Sequence, residues 1–147
     1  MVDILHRIAV ENTAPERVYD ALTTLEGLSG WWTEDTTGDA AVGGTIAFRF
    51  PPGGFDMKVL DATPGEQVTW EVVEGPAEWI GTTVEWQLHR DGDWTTVLFT
   101  HAGWAEPVDF MHHCSTKWAT YLMSLKSLLE TGAGLPSPHD VHVAYPD

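Results

Sequence analysis

Basic residues are scarce in this chain: seven Lys and Arg stand against 22 Asp and Glu in 147 residues, a formal net charge of −15. A surface that acidic repels phosphate backbones and anionic headgroups, which excludes nucleic acid and anionic membrane as partners. The same excess is also what a well-solvated surface, or a chain working in high salt, displays. Cysteine is almost missing. Cys114 alone rules out an internal disulfide, and its place on an apolar helical stripe makes it a buried structural thiol rather than a nucleophile. No apolar run approaches the ~18 residues of a membrane span. Met1-Val2-Asp3 leads straight into a strand-like run with no signal peptide, so the expected compartment is the cytoplasm. Internal repeats, low-complexity tracts, a nucleophile elbow, a phosphate loop, a dinucleotide fingerprint and zinc spacing are all absent, and no cofactor is implied.

What the chain does have is an ordinary hydrophobic fraction of 43% and eight Trp. Its length suits one domain over 1–147, with a core over about 3–132 and a tail over 133–147. The longest periodic stretch, Glu106 to Thr131, repeats Met111, Cys114, Trp118, Tyr121, Leu122, Leu125, Leu128 and Leu129 at three- and four-residue steps. Pro107 in the first turn and Gly132 just past the end bracket a helix of roughly 36 Å. A rod of that length needs a long apolar partner surface.

Upstream the period is mostly two. Ile4–Val10 alternates as a first strand; Thr13 and Glu16 then form a capping box opening a helix with Val18, Ala21, Leu22 and Leu25 inward, ending near Gly27–Gly30. Thr33–Gly44 is an acidic loop. Thr45–Phe50, Phe55–Ala62, Gln67–Val73, Ile80–His89 and Trp94–His101 each alternate, separated by Pro-Gly and Asp-Gly turns. About six antiparallel strands, two short helices after the first, and one long helix covering the sheet make an α+β domain. The tail, with three Pro and no basic residue, reads as extended packing or a loose end.

A strand, then Ala14-Pro15-Glu16-Arg17-Val18-Tyr19-Asp20-Ala21-Leu22, then Trp31-Trp32 and Val42-Gly43-Gly44, resembles the opening of the START-like (SRPBCC, Bet v 1-like) superfamily. Thr100-His101-Ala102-Gly103-Trp104 and a helix closing Leu125-Lys126-Ser127-Leu128-Leu129-Glu130-Thr131-Gly132 are similar to its branch related to the activator of Hsp90 ATPase C-terminal domain. The resemblance implies a helix-grip fold, a sheet wrapped round the C-terminal helix over an internal cavity. It also implies binding of lipids, sterols, polyketides or hormones, with some members acting as cyclases or aromatases. The N-terminal domain of eukaryotic Hsp90 co-chaperones has no counterpart here.

The inward faces name the candidate ligand site: Phe48, Phe50, Met57, Trp70, Trp86, Phe99, Met111, Trp118, Tyr121 and Leu122. The resemblance adds Trp32, which follows the helical pair where the family places the cavity's mouth. Aromatic walls with few polar groups suit a small apolar molecule; the alternative is that they fill a solid core. Trp31-Trp32 either gate the cavity or anchor that core. His101 and His6 fall on inward faces, and His101 joins the ligand-binding set as an imidazole that orients the ligand's polar end. His101 with Tyr121 is the proton-transfer pair if the same cavity belongs to a cyclase or hydratase. His112 and His113 point about 100° apart and cannot share a metal simply, and His139 and His142 have no ligand spacing. Binding or carrying a small apolar ligand is the leading expectation, with the enzyme and a protein-interaction module on the outer sheet face as alternatives. The oligomeric state stays open.

Overall fold

Seven strands, all paired antiparallel, run in the spatial order β1-β7-β6-β5-β4-β3-β2 in the computed structural model, which describes residues 1–146. They are β1 (Val2–Glu11), β2 (Thr36–Gly38), β3 (Thr45–Phe50), β4 (Gly53–Thr63), β5 (Gln67–Glu74), β6 (Thr83–Asp91) and β7 (Trp94–Trp104). Two short helices, α1 (Pro15–Thr23) and α2 (Leu25–Trp31), follow β1, and α3 (Asp109–Thr131) closes the fold. This is the helix-grip α+β fold, with the sheet curved around α3. Among the described residues no helix is long and apolar enough to cross a membrane.

Alternation decides which face is inside. Ile46 and Phe48 on β3, Met57 and Val59 on β4, Val68, Trp70 and Val72 on β5, Val84, Trp86 and Leu88 on β6, and Val97 and Phe99 on β7 are all buried. Trp118, Tyr121, Leu122, Leu125 and Leu129 of α3 face them. Each such aliphatic or aromatic side chain contributes about 1.5–3 kcal/mol by leaving water, so the sheet–helix layer dominates stability. At the end of α3, Gly132 takes the left-handed conformation (φ 85°) and its N–H donates to Leu128 O at 2.9 Å, as a helix-stopping glycine should.

Four local expectations need correction. The seventh strand, β2, lies inside the stretch read as a loop; three residues are too few to show alternation, and its register is set by pairing Thr36 with Phe48 and Gly38 with Ile46. Thr13 does not cap α1. Its hydroxyl donates back to Glu11 O at 2.8 Å, and Ala14 occupies the cap position without a side-chain bond. Ile80 does not open β6: residues 76–81 turn, with Trp79 N–H donating to Pro76 O at 2.9 Å, so Trp79 is buried and Ile80 is 52% exposed. Gly75 and Gly81, both at positive φ, bracket that turn and reset the phase of the alternation. Finally α3 begins at Asp109, because Val108 is still extended at ψ 165°, leaving Glu106 and Pro107 outside the helix.

The tail is ordered against the fold. Ser137 N–H donates to Trp32 O at 2.8 Å, Glu34 N–H donates to Ser137 O at 3.0 Å, and Leu135 N–H donates to Ser124 Oγ at 2.7 Å. It runs along the same end of the molecule as the β3–β4 turn.

Candidate functional site

The chain has eight indoles and five phenyl rings, and those of Trp31, Trp70, Trp86, Phe48 and Phe99 fill the middle of the space between sheet and α3. Phe48, Met57, Trp70, Trp86, Phe99 and Leu122 are each at most 1% exposed and interlock with one another. Trp86 meets Phe99 edge-on at 4.9 Å, and Trp118 lies 4.5 Å from Phe99. At this depth the internal cavity expected from those faces is a packed core. Met111 is half-buried on α3 and stands outside the open space.

His101 is also in the core, fully buried, with both ring nitrogens engaged. Trp118 Nε1–H can only donate, so at 3.1 Å it makes His101 Nδ1 an acceptor. The proton is then on Nε2, which donates to Thr82 Oγ1 at 2.8 Å, and the Thr82 hydroxyl passes its own hydrogen to Trp79 O at 2.5 Å. Burial pushes the imidazole down to about 3 against a weak opposing pull from Asp3. This is a neutral strut tying the turn that precedes β6 to β7 and α3, and it reaches no open space. His6, the other inward histidine, lies beside Ser115 O at 3.1 Å on α3.

The open space is at one end. A cleft of about 290 Å³ is bounded by Trp32, the β3–β4 turn (Phe50, Gly53, Gly54, Phe55), the residues 76–81 turn (Pro76, Trp79), the first half of α3 (Phe110, His113, Cys114, Lys117, Trp118, Tyr121) and the tail (Ser137, Asp140). Of the residues expected from the sequence, the cleft brings together Trp32, Phe50, Trp118 and Tyr121. Its back wall is continuous aromatic surface. Trp32 lies 4.9 Å from Trp118 and 5.2 Å from Phe55, while Trp79 lies 4.6 Å from Phe55 and parallel to Trp118 at 6.0 Å. Trp31, by contrast, points into the core and donates from Nε1 to Ala21 O at 2.9 Å.

Polar groups gather on the α3 and tail side. Lys117 Nζ and Tyr121 Oη donate to the same oxygen, Asp140 Oδ2, at 2.6 and 2.8 Å, and the ammonium rests 4.8 Å from the Tyr121 ring centre. Burial works against the Asp140 charge, but the hydrogen bonds from Lys117 and Tyr121 overcome it and hold the carboxyl below its usual range. Burial first, then Asp140, pushes the Tyr121 phenol up. Burial also pushes the Cys114 thiol up to about 12, opposed by the Trp79 indole N–H that donates to its sulfur at 3.4 Å. His113 is held down by burial and by Lys117, with Asp109 opposing. At neutral pH the cleft thus presents a thiol, a phenol, the Lys117–Asp140 ion pair and the neutral His113 imidazole. Neither the thiol nor the phenol is poised as a nucleophile.

Lys117 had a sequence signal, a charge three residues after Cys114 and four before Tyr121 on an otherwise apolar stripe. Asp140 and Ser137 had none, since the tail has no periodicity. Trp79 was hidden by the phase reset.

The model of the family of Activator of Hsp90 ATPase homolog 1-like proteins matches residues 12–130. The solution structure of the Aha1 dimer from Colwellia psychrerythraea is 48% identical over 91% of this chain and 100% of that one, with a TM-score of 0.84. CalU16 from Micromonospora echinospora is 21% identical over 98% of this chain and 75% of that one, with a TM-score of 0.78. DynU16, a protein of the dynemicin biosynthetic locus, is 20% identical over 90% and 48%, with a TM-score of 0.73; these last two share the fold. No match was found among curated proteins.

Proposed function

The chain belongs to the family of Activator of Hsp90 ATPase homolog 1-like proteins, and from that premise we propose that it binds a small, flat, apolar molecule in the cleft between β4, α3 and the tail. Residues 1–147 act in this reading as one START-like unit, its tail forming part of the site. The observation that carries it is the aromatic wall of Trp32, Phe55, Trp79 and Trp118 left facing open space. Apolar surface facing water in a concave site is where a ligand gains most from leaving solvent. Phe50 and Tyr121 flank that wall; the deeper Phe48, Met57, Trp70, Trp86, Phe99, His101 and Leu122 support it from behind. Binding is favoured over catalysis because the Cys114 thiol and the Tyr121 phenol are held protonated and the expected proton-transfer partner His101 has no free nitrogen and lies outside the cleft.

Naphthamide, a neutral flat aromatic, should quench Trp emission of the wild-type protein on entering the cleft. Phe55→Ala removes one wall and should weaken that binding about tenfold, or ~1.4 kcal/mol. Equal affinity for both proteins would mean that the probe sits elsewhere. Native mass spectrometry of the protein as purified would identify a resident ligand directly.

A second reading is supported by the 48% identity to a protein described as a dimer: self-association as an interaction module, with exposed Leu5 and Leu98 on the outer face of β1 and β7 as the contact. Light scattering across a concentration series tests it, and a monomer at every concentration would end it.

A further inference from the structure

Lys117 and Tyr121 are one helical turn apart on α3, so both side chains leave the same face. That their donors converge on one oxygen of one carboxylate defines a point in space suited to a carboxylate. The oxygen filling it belongs to Asp140, a tail residue that itself lines the cleft. The pair differs from an ordinary surface bridge in being shielded, with side chains 25% and 15% exposed. Lys117 has three N–H donors and gives one to another group among the described residues. It is also the one Lys or Arg lining the cleft, in a chain with seven in all.

We propose that Lys117 Nζ and Tyr121 Oη form an anion subsite at the polar end of the cleft, filled in cis by Asp140, and that the ligand is an aromatic carboxylate that takes Asp140's place. This rests on the ligand-binding reading above and adds the chemical class. The ring would lie on the Trp32–Trp118–Trp79 wall while its carboxylate receives the two hydrogen bonds now made to Asp140. No bond is made or broken; one anion replaces another, so the subsite's charge balance is unchanged. The overall charge of −15 opposes an incoming anion, but charges more than about 8–10 Å away are largely screened at physiological salt, and the ammonium in contact decides. Asp140 can leave without unzipping the tail. Ser137 and Leu135 are held separately, by Trp32 and Ser124, and on the other side Tyr145 packs on His113 and Phe110 at 4.4 and 5.6 Å, so the tail stays anchored on both flanks when the Asp140 side chain turns away. A tethered carboxylate competes as if present at roughly millimolar concentration, which sets the affinity a free ligand must exceed.

The test compares naphthoate with its neutral isostere naphthamide on three proteins, with circular dichroism confirming that each is folded. Asp140→Asn should strengthen naphthoate binding by about tenfold or more and leave naphthamide within about twofold, because only the acid competes for Lys117. Adding Lys117→Met to Asp140→Asn should abolish the gain. If Asp140→Asn strengthens both probes equally, the tail is a steric flap and the anion subsite is overturned. If naphthoate affinity is unchanged by Asp140→Asn, or the gain survives Lys117→Met, the subsite is overturned while naphthamide binding still upholds the cleft. If neither probe binds any of the three proteins, the cleft reading falls and the subsite with it.

Discussion

Between Trp118 and Thr82 the His101 imidazole accepts on one nitrogen and donates on the other, so protonating it both breaks a hydrogen bond and buries a charge. The consequence for pH is signed. The folded value is about 3 and the unfolded value 6.5, so the unfolded chain takes up this proton first. Stability from a neutral His101 is fully present above pH 6.5 and is lost as pH falls through that window towards 3, at up to about 1.4 kcal/mol per pH unit. Asp140 works in the same direction at lower pH: its depressed carboxyl contributes above the ordinary carboxylate value and is lost below it. Global stability is a blurred readout, because protonating the other acids also relieves repulsion in a chain this acidic. The ring itself is a sharper one. Nitrogen NMR shifts of His101 should report the neutral form with the proton on Nε2 at pH 5, well above its folded value of about 3. Titration of His101 above pH 5 would contradict the hydrogen-bond assignment.

At the scale of elements, α3 holds the fold and the site together: its second half packs on the core while its first half lines the cleft. Leu125 belongs to the second half and is fully buried, so Leu125→Ala should cost about 2–5 kcal/mol and shift the urea midpoint down. An unmoved midpoint would mean that this face does not meet the sheet. The stripe carrying Leu125 was readable from spacing alone, as was the stop at Gly132, because both are set within one or two turns of chain. The inward faces of β3, β5 and β7 were readable for the same reason. What was not readable depended on backbone breaks or on distant partners. Gly75 and Gly81 exchanged the places of Trp79 and Ile80, and β2 exists through pairing with β3. The cleft is legible only in part: Phe50, Trp118 and Tyr121 carry periodic signals and Trp32 is placed by the family resemblance, whereas Asp140 reaches Lys117 across 23 residues of chain that no local pattern connects. Periodicity also says which way a ring points and not how much room is left, so a filled core and a cavity read alike until the Trp rings are placed.

For the molecule as a whole, the charge imbalance opposes compactness, and its size relative to the ion pairs can be weighed. Among the described residues the close pairs are Arg49–Asp56 at 2.7 Å, Lys117–Asp140 at 2.6 Å and Lys126–Glu130 at 2.5 Å. Exposed or half-exposed pairs of this kind contribute about 0–1 kcal/mol each, and salt weakens them. Against them stand 22 acidic groups, most without a cationic partner, whose mutual repulsion is larger in the folded state because folding brings them closer. Raising NaCl from about 0.01 to 0.5 M cuts the screening length from about 30 Å to a few ångströms, which removes repulsion summed over many pairs while costing three short bridges a fraction of their strength. The repulsive sum should win, so the urea midpoint should rise with NaCl, most steeply below about 0.15 M, where the screening length passes through the spacing of surface carboxylates. Chloride avoids the surface-exclusion effect that sulfate would add, so the rise reports screening. A midpoint that falls with NaCl would place the stability in the three bridges instead, and Lys126→Met would then have to lower the midpoint at low salt by more than a half-exposed pair normally contributes.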